Sequence, residues 1–423
     1  MDVALAYGRG RLALAVPDDA VVIRPEELPG LPNEQAAFEA AARAPIGAAP
    51  LRALARSSDT VAIVIADITR PSPSERLVPW IMAELAHVRR EQFVIVNGTG
   101  SHRANTPDEL RRMLGDEVAD TVRVVNHNAF DDATLAHLGR TSYGGEIWVN
   151  RDYLAADVKI VTGFIEPHFF AGFSGGPKGI VPGLAGINTI MHLHNAQMIG
   201  DPRSTWARLA GNPVQGEIRE AVALCPPDFM VNVALNTRRE ITALWAGHYL
   251  EAHEVGCRFV AQHATRAVEG LFDIVITTNS GYPLDQNLYQ AVKGMSAAAR
   301  IVRPGGAIIA AAECSDGLPS HGNYKDLLRM RASAEELLAM IEAPGFALYD
   351  QWQAQSQALV QRRAQVFLHS SLEPATVRAA MLTPTDDLAA TLAELLARYG
   401  PGARVAVLPE GPQTVPFVAE LVA

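Results

Sequence analysis

The sequence predicts an α/β fold made of two α/β domains with mostly parallel sheets. Short runs rich in β-branched residues recur along the chain, and each is followed by glycine or proline and then by a helical stretch. Such alternation is typical of strand–helix–strand units, which build parallel sheets. With 423 residues, of which 48% are hydrophobic, the chain has enough apolar material for more than one core. We therefore expect two domains of this class.

Six apolar runs are predicted as buried strands: residues 61–67, 93–98, 158–164, 272–278, 307–312 and 405–411. Helix signals lie between them. Asn33 precedes EQAAFEAAARA as an N-cap, Thr106 precedes Pro107 at a first helical position, and Gly400 follows LAATLAELLARY as a stop. A long helical stretch over residues 248–270 precedes the strand at 272. We therefore place the boundary there, with an N-terminal domain of residues 1–267 and a C-terminal domain of residues 268–423.

Composition excludes several classes of protein. The net charge of -10 offers no basic face, so we expect no nucleic-acid partner. No apolar segment approaches the roughly 20 residues that cross a bilayer, and the N-terminus lacks a signal-peptide pattern. Three widely separated cysteines (Cys225, Cys257, Cys314) are expected to be buried thiols. The chain is therefore expected to be a soluble, cytoplasmic protein without a membrane partner.

Polar clusters follow four of the predicted strands. DITRPSP follows the first, NGTGSHR the second and GFIEPHFF the third, while NSGYPLDQNLYQAVK follows the first strand of the C-terminal domain. In open α/β sheets, ligands bind at the carboxyl ends of the strands. These clusters therefore predict a single site, in the cleft between the two domains.

The segment GFSGGPKG places one lysine, Lys178, among glycines. The chain has 36 lysines and arginines, of which only four are lysines, so a lysine suggests a place where arginine cannot substitute. A nucleophilic amine is such a place, because a guanidinium keeps its proton. Gly175, Gly176 and Gly179 would let backbone amides approach a ligand closely. The spacing fits neither GxxxxGK[ST] nor GxGxxG, so a flexible surface loop with an incidental lysine remains an alternative.

Two histidines follow predicted strands directly, His102 and His168. Imidazole titrates near neutral pH, so two histidines that face one carbon can exchange acid and base roles, as a racemase requires. His192 and His194 are spaced i, i+2, so that one could bind a metal while the other packs. A zinc site made of His168, His192 and His194 is conceivable, although no HExxH motif supports it.

Three further side chains are candidates for binding an anion. Arg70, between the prolines and threonine of TRPSP, could hold a carboxylate through two hydrogen bonds. A surface ion pair with Asp67 is the alternative interpretation of Arg70. Gln290 and Lys293 are spaced i, i+3, so they share a helix face and could reach the same anion.

Five motifs in this order, DITRPSP, GTGSHR, EPHFFAGFSGGPKG, HLHN and LDQNLYQAVKG, resemble the nickel-dependent lactate racemase family over nearly the whole chain. The resemblance implies an isomerase, a racemase or epimerase of 2-hydroxy acids, with two α/β domains. It implies a nickel-pincer nucleotide cofactor, a pyridinium-3,5-bisthiocarboxylic acid mononucleotide that holds Ni(II), supplied by cofactor-biosynthesis proteins.

The resemblance also assigns roles to residues. Lys178 attaches the cofactor covalently through a thioamide, with Gly175, Gly176 and Gly179 closing around the nucleotide, and His194 is the protein ligand of nickel. His102 and His168 alternate as acid and base while hydride moves to the cofactor and back. Arg70, Gln290 and Lys293 bind the substrate, and Asp67 orients Arg70 or contacts the cofactor ribose.

Two residues depart from the family pattern. Ile68 stands within DITRP where a polar residue is expected, and Ser101 stands where threonine is usual. Both border the predicted site, so the particular 2-hydroxy acid stays open. The alternatives to a racemase are a zinc-dependent hydrolase and a non-catalytic protein that binds an organic acid or phosphate. A nicotinamide dehydrogenase fits the fold but lacks the glycine fingerprint.

Overall fold

A computed structural model describes residues 1–319 and 322–419 of the chain. Two compact units are present, and neither is a continuous segment. The central unit comprises Glu27–Leu193 and Arg203–Gln262, and the terminal unit comprises Met1–Glu26, His194–Pro202 and His263–Ala423.

The strands of the described residues, in chain order, are β1 Asp2–Tyr7, β2 Gly10–Ala15, β3 Val21–Val22, β4 Val61–Ala66, β5 Phe93–Gly98, β6 Arg123–Asn126, β7 Leu135–Arg140, β8 Glu146–Asn150, β9 Val158–Phe164, β10 Pro167–His168, β11 Gly172–Phe173, β12 Phe229–Leu235, β13 Ile241–Gly247, β14 Thr265–Val268, β15 Phe272–Thr278, β16 Val302–Ala311, β17 Ala364–His369, β18 Thr383–Pro384, β19 Val405–Leu408 and β20 Val415–Val418.

The α-helices of the same residues are α1 Glu34–Arg43, α2 Ser74–Glu84, α3 Pro107–Leu114, α4 Asp116–Thr121, α5 Arg151–Leu154, α6 Ile187–Leu193, α7 Ala196–Gly200, α8 Pro213–Ala223, α9 Glu251–Ala264, α10 Leu288–Ala299, α11 Tyr324–Arg329, α12 Ala334–Ile341, α13 Gln351–Arg363, α14 Pro374–Ala379 and α15 Leu388–Tyr399.

The central unit is built on a sheet with the strand order β13-β12-β9-β4-β5-β6. All neighbouring strands run parallel except β12 and β13. Ile63 pairs in register with both Ile95 and Ile160, and all three side chains are fully buried. The near-continuous apolar runs of β4, β5 and β9 follow from this burial on both faces. These three adjacent strands therefore end at one edge of the sheet.

Two helices of the central unit begin at the side-chain caps that the sequence predicts. The Asn33 side chain accepts a hydrogen bond from the Ala36 backbone N–H at the start of α1. At the start of α3, Thr106 and Glu109 form a reciprocal capping box, with Pro107 in the first turn. The predicted stop at Gly400 also ends α15 in the terminal unit.

The helix predicted over residues 248–270 is shorter than expected. It is α9, which ends at Ala264, and Thr265–Val268 forms β14 instead. Strand β14 pairs parallel with Val415–Val418, about 150 residues further along the chain. A distant partner of this kind overrides the local helical pattern.

The terminal unit contains an all-parallel sheet with the order β18-β17-β16-β15-β19-β3. Its short strand β3 pairs with β19, so that Val21 lies beside Ala406. The first 26 residues consequently belong to this unit, whereas the predicted boundary places them in an N-terminal domain. A two-residue strand whose partner lies almost 400 residues away has no local sequence signal.

Two expectations from composition can be compared with the structure. No helix among the described residues is long and apolar enough to span a bilayer. The three cysteines are buried free thiols, as predicted. Burial raises the pKa of Cys225 and of Cys314 to about 12, which keeps both thiols protonated and unreactive.

Candidate active site

Three loops of the central unit carry the predicted catalytic histidines and two of the predicted binding residues. Asp67 and Arg70 follow β4, His102 follows β5, and His168 follows β9. Since β4 is the neighbour of both β5 and β9, these loops lie side by side at the carboxyl edge of the sheet. The sequence-based expectation that polar clusters converge there is met for these three loops.

Asp67 and His102 form a hydrogen-bonded pair. The distance between Asp67 Oδ2 and His102 Nδ1 is 2.8 Å, and Thr69 Oγ1 donates to the other carboxylate oxygen at 2.7 Å. Asp67 is 4% exposed, and this burial favours its neutral form. The hydrogen bond and charge of His102, with smaller contributions from Thr69 and Arg70, outweigh burial and lower the pKa of Asp67. The carboxylate is therefore ionised at neutral pH.

The pairing of Asp67 with His102 was not predicted from the sequence. The predicted contact of Asp67 with a ribose stays a prediction. The ion pair of the Arg70 guanidinium is with Glu166, at 3.9 Å. The Arg70 backbone N–H donates to the Asp67 carbonyl, which closes the turn after β4. At 3.9 Å the ion pair is weak, so Glu166 holds the Arg70 guanidinium only loosely.

An asparagine network that the sequence analysis missed fixes the loops after β4 and β5. Asn97 Nδ2 donates to the side-chain oxygens of Asn105 and Asn126, each at 2.8 Å. Asn105 Oδ1 also accepts the Ile68 backbone N–H at 3.2 Å. Hydrogen bonds between buried amide groups hold a backbone in one arrangement. This network therefore positions the two loops that carry Asp67 and His102.

His168 lies in a tight hairpin and is 6% exposed. It belongs to β10, which pairs antiparallel with β11 so that His168 faces Gly172. The imidazole ring lies against Phe169 and Phe170, with ring centroids 4.9 and 4.5 Å away. The Ala171 backbone N–H donates to His168 Nδ1 at 3.3 Å. These contacts fix the ring orientation.

The glycine-rich segment is held rigidly rather than being a flexible loop. Gly175 and Gly176 have φ angles of 75° and 52°, in the left-handed region that favours glycine. Asn232 Oδ1 accepts the Gly176 N–H at 2.6 Å, and the buried His253 Nε2–H donates to the Ser174 carbonyl at 2.9 Å. A Cβ atom on Gly176 would lie 2.5 Å from His253 Cγ. Neither Asn232 nor His253 was predicted to contribute to the site.

Lys178 lies in the 3-10 turn Gly176–Gly179, which follows directly. A Cβ on Gly179 would lie 2.6 Å from Val161 Cγ2, so the turn packs closely on β9. The other lysine of the central unit, Lys159, lies near the start of β9, 3.8 Å from Asp228. The structure therefore places Lys178, and not Lys159, near the loops with the candidate catalytic groups.

The remaining candidates lie in the terminal unit. Gln290 and Lys293 are both on α10, so the predicted shared helix is confirmed. The buried His194 follows the end of α6, and its ring lies 4.7 Å from that of Trp352. Trp352 Nε1 donates to the Tyr289 hydroxyl, also on α10, at 3.0 Å. Trp352 and Tyr289 thus connect His194 with the helix that carries the two predicted substrate ligands.

Known protein families and individual proteins are similar to this chain over most of its length. The lactate racemase N-terminal domain family matches residues 7–207, and the lactate racemase C-terminal domain family matches residues 268–415. A lactate racemase of Lactiplantibacillus plantarum is 35% identical over 384 residues, covering 90% of each chain. The chain belongs to the lactate racemase family. The resemblance in its motifs is confirmed, and the chain is an isomerase of the racemase type.

A second relative and its solved structure agree with this lactate racemase assignment. A lactate racemase of Thermoanaerobacterium thermosaccharolyticum is 32% identical over 419 residues, covering 97% of this chain and 98% of that one. The structure of the lactate racemase apoprotein from that organism matches with a TM-score of 0.92 and 31% identity over 98% of this chain and 100% of that one. A Thermotoga maritima protein shares the fold alone, at 19% identity and a TM-score of 0.67, over 87% of this chain and 96% of that one. The predicted fold class is confirmed.

The lactate racemase family assignment also bears on the alternatives. Within residues 1–319 and 322–419 there is no group of three or more His, Cys, Asp or Glu side chains arranged to hold a metal ion. Neither that finding nor the comparisons give positive support to a zinc hydrolase built on His168, His192 and His194. The racemase assignment is also more specific than the alternative of a non-catalytic binding protein.

Replacement of Gly176 by alanine is expected to destabilise this lactate racemase homologue by about 2–5 kcal/mol. The left-handed backbone costs a non-glycine residue about 1–2 kcal/mol, and overpacking against His253 adds about 1–3 kcal/mol. Chemical denaturation measures the loss. Gly144→Ala is the matched control, because Gly144 has a φ of 90° but no atom within 4 Å of a new Cβ. Equal losses in the two variants would show that His253 does not constrain Gly176.

Acidification is expected to destabilise the central unit through His253. Burial lowers the pKa of His253 to about 4 in the folded chain, whereas an unfolded histidine titrates at about 6.5. Between these values the unfolded chain binds the extra proton, so the free energy of unfolding falls as pH falls, by about 2–4 kcal/mol in total. Denaturation at pH 7.5 and pH 5 measures the slope. His253→Gln should flatten it, and an unchanged slope in this variant would show that another group causes the loss.

Proposed function

We propose that this racemase inverts the configuration of a small 2-hydroxy acid with a nickel-pincer nucleotide attached to Lys178. The observation that carries the proposal is the placement of the Asp67–His102 pair, His168 and the rigid Lys178 turn around neighbouring strand ends. The substrate class follows from the relatives, which are lactate racemases. Ile68 and Ser101 leave the size of the substrate side chain open.

The residues of the central unit fit a nucleotide attached through an amine. Backbone segments approach each other closely beside the Lys178 turn, since a Cβ on Gly98 would lie 3.2 Å from the Ile65 carbonyl and 3.4 Å from that of Gly183. The Gly100 N–H donates to the same Gly183 carbonyl. Gly98, Gly100 and Gly183 thus bring backbone polar groups together next to the turn that carries Lys178. Gly175, Gly176 and Gly179 would border the nucleotide there.

His194 would supply the protein ligand of nickel, since imidazole suits Ni(II). One histidine is sufficient in this proposal because the pincer arms supply the other ligands, so no cluster of protein ligands is required. When bound, the nucleotide would supply the group that takes up hydride from the substrate carbon and returns it. Delivery of the nucleotide by cofactor-biosynthesis proteins in the cytoplasm is part of the proposal.

The side chains of this chain would bind the substrate and move its hydroxyl proton. Arg70 would hold the carboxylate in place of Glu166, with Gln290 and Lys293 of α10 as further ligands. His102 would remove the hydroxyl proton, and the Asp67 carboxylate would stabilise the resulting imidazolium. His168 would serve the opposite face of the substrate carbon. The hydrophobic packing around His168 would limit water at the reacting carbon.

Production of the chain with and without cofactor-making enzymes tests the proposal. Loaded protein should show an intact mass above that of the bare chain, nickel in proportion to the added mass, and loss of optical purity across a panel of 2-hydroxy acids. The bare chain is the control and should be inactive. Full racemisation by the bare chain, or loaded protein that is inactive on every acid, would contradict the proposal.

A further inference from the structure

We infer that His102 and His168 are held in opposite neutral tautomers, His102 with its proton on Nδ1 and His168 with its proton on Nε2. The inference deepens the proposed function and rests on it for the chemical role of the two rings. The tautomers themselves follow from hydrogen bonds within the central unit, whatever the cofactor.

The tautomer of His102 follows from its partner. An ionised carboxylate only accepts hydrogen bonds, so the 2.8 Å contact with Asp67 Oδ2 requires a proton on His102 Nδ1. The lowered pKa of Asp67 keeps the carboxylate ionised. In a neutral ring the lone pair is then on Nε2. In the described part of the chain, the hydrogen bond of the His102 ring is made through Nδ1. The His102 side chain is 42% exposed. His102 is consequently ready to accept a proton at Nε2.

The tautomer of His168 follows from the opposite kind of partner. A backbone N–H only donates, so the contact from Ala171 requires a lone pair on His168 Nδ1. The proton of the neutral ring is then on Nε2. The β10–β11 pairing and the two phenylalanine rings hold the imidazole in this orientation. His168 is therefore prepared to donate a hydrogen bond through Nε2, and it cannot accept a proton there in this state.

The two rings would have different tasks in the first proton transfer. The substrate O–H bond would break and its proton would move to the lone pair of His102 Nε2, with the bound nucleotide of the proposed function supplying the acceptor for the carbon hydride. The imidazolium of His102 is stabilised by Asp67, which acts as a positioning residue. For His168 to act as the base, its Nδ1 must first release the Ala171 N–H. The geometry thus makes His102 the base that is available without rearrangement.

Nuclear magnetic resonance of the bare chain, with histidine labelled by ¹⁵N in the ring, tests the inference. Two-bond ¹H–¹⁵N correlations distinguish protonated from unprotonated ring nitrogens, and His102→Gln and His168→Gln assign the two signals by their disappearance. At a pH where both rings are neutral, His102 should show a protonated Nδ1 and His168 a protonated Nε2. The same tautomer for both rings, or the reverse of this assignment, would overturn the inference.

A matched pair of variants tests the cause. Asp67→Asn should shift His102 towards the Nε2–H tautomer and leave the His168 signal in place. Thr69→Val removes only the hydrogen bond to the other oxygen of Asp67, and it should leave both tautomers unchanged. An unchanged His102 signal in Asp67→Asn would refute the role of Asp67. Because the measurement uses no cofactor and no substrate, its failure is distinct from failure of the proposed racemisation.

Discussion

Replacement of Lys178 by arginine is expected to yield a folded chain that gains no cofactor mass and does not racemise. Arginine keeps the positive charge and a similar length, but its guanidinium is not a nucleophile at neutral pH and forms no thioamide. Since enzymes accelerate reactions by about 10⁶-fold or more, loss of the reacting cofactor should lower the rate by more than about 10⁴-fold. Intact mass and a racemisation assay on the co-expressed protein measure the two effects.

Lys159→Arg is the control for this variant. Lys159 lies 3.8 Å from Asp228 near the opposite end of β9, and arginine can preserve that ion pair. This variant should gain the cofactor mass and keep near wild-type activity. The attachment site is assigned incorrectly if Lys178→Arg carries the added mass at full yield, or if Lys159→Arg is the variant that loses it.

Replacement of Asp67 by asparagine is expected to lower kcat by about 10²–10⁴-fold with little change in KM. The amide no longer fixes the His102 proton on Nδ1 and no longer stabilises the imidazolium. Arg70 and the other substrate ligands are unchanged, which is the reason for a small effect on KM. Steady-state kinetics of the loaded enzyme, with cofactor content measured by mass, provide the test.

Thr69→Val is again the control, because it retains the contact between Asp67 and His102. It should keep kcat within a few-fold of the wild type. A kcat of Asp67→Asn within two-fold of the wild type would show that the pair has no catalytic importance. Loss of cofactor from Asp67→Asn would instead support the earlier expectation that Asp67 contacts the nucleotide.

Local patterns predicted the parts of the fold that are locally determined. The buried parallel strands β4, β5 and β9 are nearly continuous runs of apolar residues, and the helix caps at Asn33 and Thr106 satisfy backbone groups within three residues. The strands β3 and β14 were missed because each is defined by a partner far along the chain.

In the candidate site as well, local motifs were predicted from the sequence and contacts between distant residues were not. The sequence and the family resemblance identified His102, His168 and Lys178, because each lies in a recognisable motif after a strand. The pairing of Asp67 with His102 across 35 residues was not predicted, since it depends on the adjacency of β4 and β5. Asn232 and His253 were also missed, because they lie far from the glycine segment in sequence and contact it only in the folded unit.

The pairing of β3 with β19 has a consequence for synthesis of the chain. At about 5–20 residues per second, the ribosome completes β19 on the order of tens of seconds after β3 has emerged. Throughout that time the nascent N-terminus has a strand without its partner, which is a risk for aggregation. The whole central unit, by contrast, is available by residue 262 and can fold first. A chain truncated before Val405 would keep β3 permanently unpaired, so we expect such fragments to depend on chaperones.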